Sequence, residues 1–145
     1  MRRALLDVNV LVALFDGDHT FNEAAHSWLE GGASAGIATC PLTENGLLRI
    51  LSHPHYSKHF TLSPADVIGR LERFVAHHDH EFWADEISLR EAVFLRDHML
   101  GSKQLTDIYL LGLAVRKGGR LVTFDPTIPL AAVDGAAPGH LVALG

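Results

Sequence analysis

The stretch "LTDIYLLGLAVRKGGRLVTFD", residues 105–125, joins a helix pattern to a strand pattern across a short turn. "LTDIYLLGLAV" places its apolar residues at helical spacing, and the glycine pair at 118–119 is a stop signal. "RLVTFD" is typical of a short buried strand that closes on an acidic residue. A helix followed directly by a strand at this spacing predicts an α/β fold with a parallel sheet.

The rest of the chain alternates in the same way, and we expect a single domain over residues 1–145. Further strands are predicted in "ALLDVNV", "AGIATC", "HEFWADE" and "HLVAL". Further helices are predicted in "FNEAAHSWLEGG", from Thr43 to about Ser52, in "LSPADVIGRLERFVAHH" with Ser63 as N-cap and Pro64 as its first residue, and in "LREAVFLRDHM". This order favours a parallel sheet with helices on both faces.

Composition restricts the function classes. Of 145 residues, 48% are apolar and the formal net charge is −5, which fits a globular domain and argues against a broadly basic nucleic-acid-coating surface. Arg2 and Arg3 precede an apolar run, but Asp7 and Asn9 interrupt it, so a signal peptide is not expected. No run approaches the ~18 apolar residues of a membrane span. With one cysteine, Cys40, the cytoplasm is the expected location.

Four acidic residues map to the sheet edge where parallel α/β domains bind ligands, beyond the carboxyl ends of the strands. Asp7 follows the first strand, Glu44 begins the helix after the second, Asp107 begins the helix of the opening stretch, and Asp125 closes the strand after it. Taken singly, Glu44 and Asp107 could merely complement a helix dipole, and Asp125 could be a turn residue.

Taken together, the four acids indicate a metal site. Converging carboxylates repel one another, and no Lys or Arg lies within three residues of Asp107 or Asp125, or after Asp7. The natural compensation is a hard divalent cation with oxygen ligands, Mg²⁺ or Mn²⁺, which also binds substrate phosphates and activates water. From spacing alone, phosphate chemistry at such a site and the separate cap and turn roles both stay open.

These segments resemble a known family. "LLDVNVLVALF", "PLTENGLLRIL" and "QLTDIYLLGLAVRKGGRLVTFD" are similar to the PIN-domain ribonucleases and, more narrowly, to the VapC toxins of type II toxin–antitoxin pairs. The resemblance implies a PIN-type three-layer α/β/α sandwich with a mainly parallel sheet of about five strands. It implies that Asp7, Glu44, Asp107 and Asp125 are the catalytic Mg²⁺/Mn²⁺ ligands, with Asn9 and Thr106 as orienting neighbours.

The same resemblance implies hydrolysis of RNA phosphodiester bonds, a cognate VapB-like antitoxin as partner, and a homodimer. Candidate RNA contacts are Arg49, Lys103, Arg116 and Lys117, of which Arg49 is five residues beyond Glu44 and Lys103 is four before Asp107. An RNA-processing PIN nuclease without an antitoxin, and a PIN fold that binds without cutting, are the alternatives within the family. A receiver-like Mg²⁺-binding signalling domain is disfavoured, because Asp7 has no acidic neighbour and "HLVAL" has no Lys.

The ten histidines invite a zinc hypothesis, which their spacing does not favour. "HPHYSKH" and "HHDH" contain no cysteine and no pair of ligands on one helix face. We expect both clusters to be solvated surface histidines. His19, shortly after the first strand, is expected to have a capping or structural role.

Overall fold

The computed structural model describes residues 1–144 and contains one five-stranded sheet. The strands are β1 (Ala4–Leu6), β2 (Ile37–Thr39), β3 (His80–Phe82), β4 (Arg120–Thr123) and β5 (Leu141–Ala143). Every pairing is parallel, and the order across the sheet is β3-β2-β1-β4-β5. The predicted parallel sheet of five strands is confirmed.

In this described part of the chain, five α-helices cover the sheet: α1 (Val8–Phe15), α2 (Asn22–Gly32), α3 (Pro41–Leu51), α4 (Pro64–Ala76) and α5 (Leu105–Arg116). Successive residues of the strands point to opposite faces of the sheet and pack into two separate hydrophobic cores. Ala4 and Leu6 face the core formed with α1 to α4, whereas Leu5 and Leu121 face the core formed with α5. The three-layer α/β/α arrangement is therefore confirmed. No helix within residues 1–144 is both long and apolar enough to cross a membrane.

The first element is shorter than predicted. The strand stops at Leu6, and residues 8–15, where no helix is predicted from the sequence, form α1. Six consecutive residues of α1, from Val10 to Phe15, are buried. A continuous apolar run of this kind cannot be assigned to strand or helix from periodicity, because all of its sides are covered. Asp7 sits at the junction and caps α1.

The prediction of a helix in "LREAVFLRDHM" is wrong. Only a 3₁₀ turn, Arg96–His98, forms there. The backbone of this segment bonds elsewhere, because Leu95 N–H donates to Ala132 O and Asp134 N–H donates to Val93 O. Phe94, 2% exposed, packs into the α5 core. Tertiary pairing and burial of one aromatic side chain outweigh the local helical pattern.

The other predicted helices are confirmed, with one shifted boundary. Ser63 is the N-cap of α4 and accepts a hydrogen bond from Asp66 N–H, with Pro64 in the first turn. α3 begins two residues before the predicted Thr43, at Pro41. Thr43 therefore lies inside the first turn, where its hydroxyl accepts from Cys40 N–H at 3.0 Å.

A close approach between α1 and α3 depends on Gly46. A Cβ atom at Gly46 would lie 2.6 Å from Val8 Cγ2 and 3.2 Å from Val8 Cγ1. Val8 is β-branched, so its side chain has little freedom to move aside. The contact holds the first turns of α3, which carry Glu44, against the residue that follows Asp7.

We expect Gly46→Ala to lower the free energy of unfolding by about 1–3 kcal/mol, because the new methyl group overpacks this contact. Gly69→Ala in α4 is the matched control, since its Cβ would meet only Arg73 Nη1 at 3.7 Å. Helix propensity alone favours alanine at both positions, so Gly69→Ala is expected to gain about 0.5–1 kcal/mol. Urea denaturation of both variants measures the difference, and equal gains would contradict the steric contact.

Candidate metal centre

Three of the four predicted acids gather where the strand order reverses. Asp7 directly follows β1, and Asp125 lies two residues beyond the end of its neighbour β4. Asp107 lies in the first turn of α5. The gap between β1 and β4 is the topological switch point of this sheet, the usual ligand position in open parallel α/β folds.

Asp7 is the most buried of these acids, at 4% exposed. Its Oδ1 accepts a hydrogen bond from Val8 N–H at 2.7 Å, which caps α1. Its Oδ2 accepts from the hydroxyl of Thr123, at the last position of β4, also at 2.7 Å. Both carboxylate oxygens are thus fixed in direction, and each retains a lone pair for a further ligand.

Thr123 joins the acidic residues at this edge. While its hydroxyl donates to Asp7, its oxygen accepts from Asn9 Nδ2 at 3.3 Å and from Asp125 N–H at 3.0 Å. The hydroxyl has one hydrogen and two lone pairs, and all three are used. Asn9 also accepts from Phe124 N–H at 3.2 Å, so it connects α1 to the end of β4.

The pKa values report electrostatic coupling among the three aspartates. Burial raises the pKa of Asp7, the hydrogen bonds from Thr123 and Val8 oppose this, and Asp125 adds to it. Burial, followed by the charges of Asp7 and Asp125, raises the pKa of Asp107 to about 6, and protonated Asp107 donates to Asp125. The pKa of Asp125 is lowered, chiefly by hydrogen bonds from Thr127. The turn role considered for Asp125 is therefore real, and it coexists with coupling to Asp107.

Glu44 lies at the same edge but is held separately. Its Oε2 accepts from the hydroxyl of Thr39, the last residue of β2, at 2.6 Å. Thr39 Oγ1 also lies 2.8 Å from Nε2 of His80 in β3. Burial lowers the pKa of His80, with the charge of Glu44 opposing. The charge interactions that couple the three aspartates do not include Glu44 within residues 1–144.

The donor chemistry of this edge fits a hard divalent cation. The ion pairs found in the described part of the chain involve Arg3, Arg116 and Lys117 with other acids, so no basic side chain neutralises Asp7, Asp107 or Asp125. In residues 1–144, no three Asp, Glu, His or Cys side chains converge as tightly as a preformed ligand cage would require. Mg²⁺ suits such an open set, because it keeps several waters and needs only one or two protein carboxylates.

The remaining predicted site residues are exposed. Thr106 precedes Asp107 and lines a groove of about 390 Å³ with Leu42, Leu105 and Tyr109. Arg49 in α3 and Lys103 just before α5 are exposed and form no ion pair within the described residues.

Sequence reasoning missed Thr39, Thr123 and His80. The available signal for the two threonines was their position in the sequence: each is the last residue of a strand, at the edge that carries the acids.

The expectation of solvated histidines holds for His77 and His78, which are exposed at the end of α4. It is wrong for His80, which is half-buried because β3 pairs with β2. His19 Nδ1 accepts from Phe21 N–H, in line with the local role expected for it.

The fold and site define a parallel α/β domain with a carboxylate cluster at the switch point of its sheet. A family model described as PIN domain matches residues 4–135. The chain belongs to the PIN domain family. The receiver-like alternative is set aside by this match.

Several curated proteins of Mycobacterium tuberculosis are similar to this chain. Ribonuclease VapC44 is 46% identical over 143 residues, covering 98% of this chain and 99% of that protein. Ribonuclease VapC39 is 40% identical over 137 residues, covering 94% and 95%. Ribonuclease VapC38 is 42% identical over 123 residues, covering 84% of each chain. The resemblance to VapC proteins noted in the sequence is confirmed.

The raised pKa of Asp107 predicts an unusual pH dependence of metal-free stability. The folded state holds a proton on Asp107 up to about pH 6, against 3.8 for the ordinary value, so ionising it costs stability as pH rises through that window. Asp107→Asn removes this cost. In EDTA at pH 8 we expect the variant to be more stable by about 1 kcal/mol, a figure reduced for the partial exposure of the group. By pH 4 the gain should disappear.

Urea denaturation at the two pH values measures this prediction. Asp97→Asn, an exposed position in the 3₁₀ turn, removes the same formal charge and should change stability by less than about 0.5 kcal/mol at either pH. A gain for Asp107→Asn that is equal at pH 4 and pH 8 would contradict the coupling of the three aspartates.

Proposed function

We propose that this protein is a Mg²⁺- or Mn²⁺-dependent endoribonuclease that hydrolyses RNA phosphodiester bonds. The observation that carries the proposal is the set of three mutually coupled aspartates at the switch point of a PIN fold, where no basic side chain of residues 1–144 forms an ion pair with them. The similar proteins named as VapC ribonucleases support the choice of RNA as substrate. The chain is proposed to act as a single PIN domain.

The aspartates are the proposed metal-holding and catalytic groups. Asp7 is oriented by Thr123 and by the start of α1, and Asp107 presents its carboxyl from the start of α5 beside Asp125. Glu44 is proposed as a further wall of the same site, reached from the start of α3. When bound, the ion supplies activation of water and neutralisation of charge at the phosphate.

Neighbouring polar residues complete the proposed site. Asn9 fixes the end of β4 relative to α1, so it positions Asp7 and Asp125 through Thr123. Thr106, exposed beside Asp107, is proposed to orient substrate or water. Arg49 and Lys103 are proposed RNA contacts, because their charges are unpaired within the described residues and can meet phosphates.

The proposed biological role is that of a toxin in a type II toxin–antitoxin pair. The partner would be a small VapB-like antitoxin, and the toxin would act as a homodimer in the cytoplasm. Co-expression with the small protein encoded beside it should relieve growth arrest and yield a complex that copurifies. Full toxicity in the presence of every neighbouring product would favour the alternative, an RNA-processing PIN nuclease without an antitoxin.

The nuclease proposal predicts which substitutions stop cleavage. Purified protein with Mn²⁺ should cut RNA in a pool of structured and single-stranded transcripts, and EDTA should stop it. Asp7→Asn and Asp107→Asn should each reduce cleavage by at least about 100-fold while the fold is retained, because each removes a metal-holding carboxylate. Gel analysis of the RNA and circular dichroism of the variants measure the two outcomes.

The control for this assay is again Asp97→Asn, which should cut like the parent. If Asp7→Asn and Asp107→Asn also cut like the parent, the catalytic assignment is wrong. If EDTA leaves cleavage by the parent unchanged, the metal requirement is wrong.

Metal binding should also stabilise the fold by mass action. At 100 times the dissociation constant, Mn²⁺ should raise the free energy of unfolding by about 2.7 kcal/mol. Asp107→Asn should lose most of this gain, although it is expected to be the more stable protein in EDTA. Thermal unfolding with and without Mn²⁺ measures both effects, and an unchanged midpoint for the parent at saturating Mn²⁺ would count against the site.

A further inference from the structure

A hydrogen-bonded chain of three side chains crosses from the edge strand of the sheet to the start of α3. His80 in β3 meets the hydroxyl of Thr39 at 2.8 Å, and the same hydroxyl donates to Glu44 Oε2 at 2.6 Å. Thr39 is 0% exposed, and the parallel register of β3 with β2 sets His80 opposite Ile37, so that His80 lies on the same face of the sheet as Thr39, which is two residues further along β2. Glu44 Oε1 makes no hydrogen bond to protein within residues 1–144.

The donor and acceptor inventory fixes the direction of this chain. An ionised carboxylate only accepts, so the single hydrogen of Thr39 points at Glu44. The contact with His80 can then exist only if Nε2 carries the hydrogen and donates to Thr39. A neutral imidazole has one N–H, so His80 must be the Nε2–H tautomer with Nδ1 unprotonated.

The two threonines that end β2 and β4 do similar tasks with different support. Thr123 donates to Asp7, and its lone pairs are filled by Asn9 and by a backbone N–H. Thr39 donates to Glu44, and His80 supplies the N–H that meets its oxygen. Without that donor, the Thr39 hydroxyl could rotate, and Glu44 would lose a fixed orientation.

We propose that His80 is a positioning residue that acts through Thr39 to hold the Glu44 carboxylate with Oε1 turned out for a divalent cation. This inference rests on the proposed metal site, and it adds a residue that belongs to neither the acidic set nor its immediate hydrogen-bond partners. Supporting residues of this kind orient metal ligands, and their loss typically weakens metal binding by about 10- to 100-fold for a direct partner.

The main test measures Mn²⁺ affinity by electron paramagnetic resonance of the free ion, with the whole chain at pH 8. His80→Ala should weaken binding by about 5-fold, the size of one hydrogen bond. Thr39→Val, which removes the direct partner of Glu44, should weaken it by about 10-fold or more. His80→Gln should stay within about 2-fold of the parent, because its amide can still donate to Thr39.

A second histidine provides the matched control. His140 is 8% exposed, precedes β5 at the opposite edge of the sheet and hydrogen-bonds Arg2. His140→Gln should leave Mn²⁺ affinity unchanged. Equal affinity of His80→Ala and the parent overturns the proposal, as does failure of His80→Gln to restore what His80→Ala loses. Urea denaturation confirms that the variants compared are folded.

A double-mutant cycle separates this proposal from the function on which it rests. Glu44→Gln should weaken Mn²⁺ binding, and His80→Ala should then cause no further loss in that background. If Glu44→Gln weakens binding but His80→Ala adds its full effect, His80 does not act through Glu44 and the inference fails while the metal site stands. If Glu44→Gln has no effect, the metal role of Glu44 and the inference both fail.

The tautomer of His80 gives an independent readout without metal. Long-range ¹H–¹⁵N spectra at pH 8 should show Nε2 of His80 protonated and Nδ1 not. A protonated Nδ1 would turn the Thr39 hydrogen towards His80 and away from Glu44, which overturns the proposal. Thr39→Val should release the tautomer preference, whereas His140→Gln should not alter it.

Discussion

The arrangement of this site depends on the single hydroxyl of Thr123. Asp7 is buried because it lies between the central strand and α1, which it caps, and a buried carboxylate is costly unless donors face it. The Thr123 hydroxyl in β4 donates a hydrogen bond to Asp7, and its oxygen accepts hydrogen bonds from Asn9 Nδ2 and from the backbone N–H of Asp125. The pairing of β1 with β4 thus sets the positions of Asp7 and Asp125. The repulsion among the carboxylates is the electrostatic cost that these hydrogen bonds do not remove.

That remaining cost explains why Asp107 differs from its neighbours. Asp7 has two donors, which offset part of the cost of its burial, and Asp125 has the amide and hydroxyl of Thr127, which lower its pKa. Asp107 faces both charges, and no cation in the described residues pairs with it. The repulsion among the three carboxylates therefore acts mainly on Asp107, and either a proton on Asp107 or a bound cation relieves it.

How far the sequence predicts this protein depends on the range of the interactions involved. The strands, α5 and the edge position of the acids follow from local pattern, because short buried runs and glycine stops are local signals. The helix α1 does not, since residues 10–15 are a continuous apolar run with no helical period. For residues 89–99 the error is the opposite one, a helix that was predicted and does not form. The backbone of residues 93–95 pairs with residues 132–134, which no local window contains. The roles of Thr39 and His80 require knowledge of strand order, since 41 residues separate them.

A proton and a divalent ion are competing solutions to the same charge problem at this edge. With the pKa of Asp107 at about 6, the metal-free domain takes up a proton below that pH and lets Asp107 donate it to Asp125. Above it, Asp107 ionises beside Asp7 and Asp125, and the favourable way to neutralise the added charge is a cation with oxygen ligands. A net charge of −5 would otherwise repel an RNA phosphate from this surface. In the proposed site, an ion that relieves the repulsion among the aspartates would therefore also make the edge able to receive the substrate.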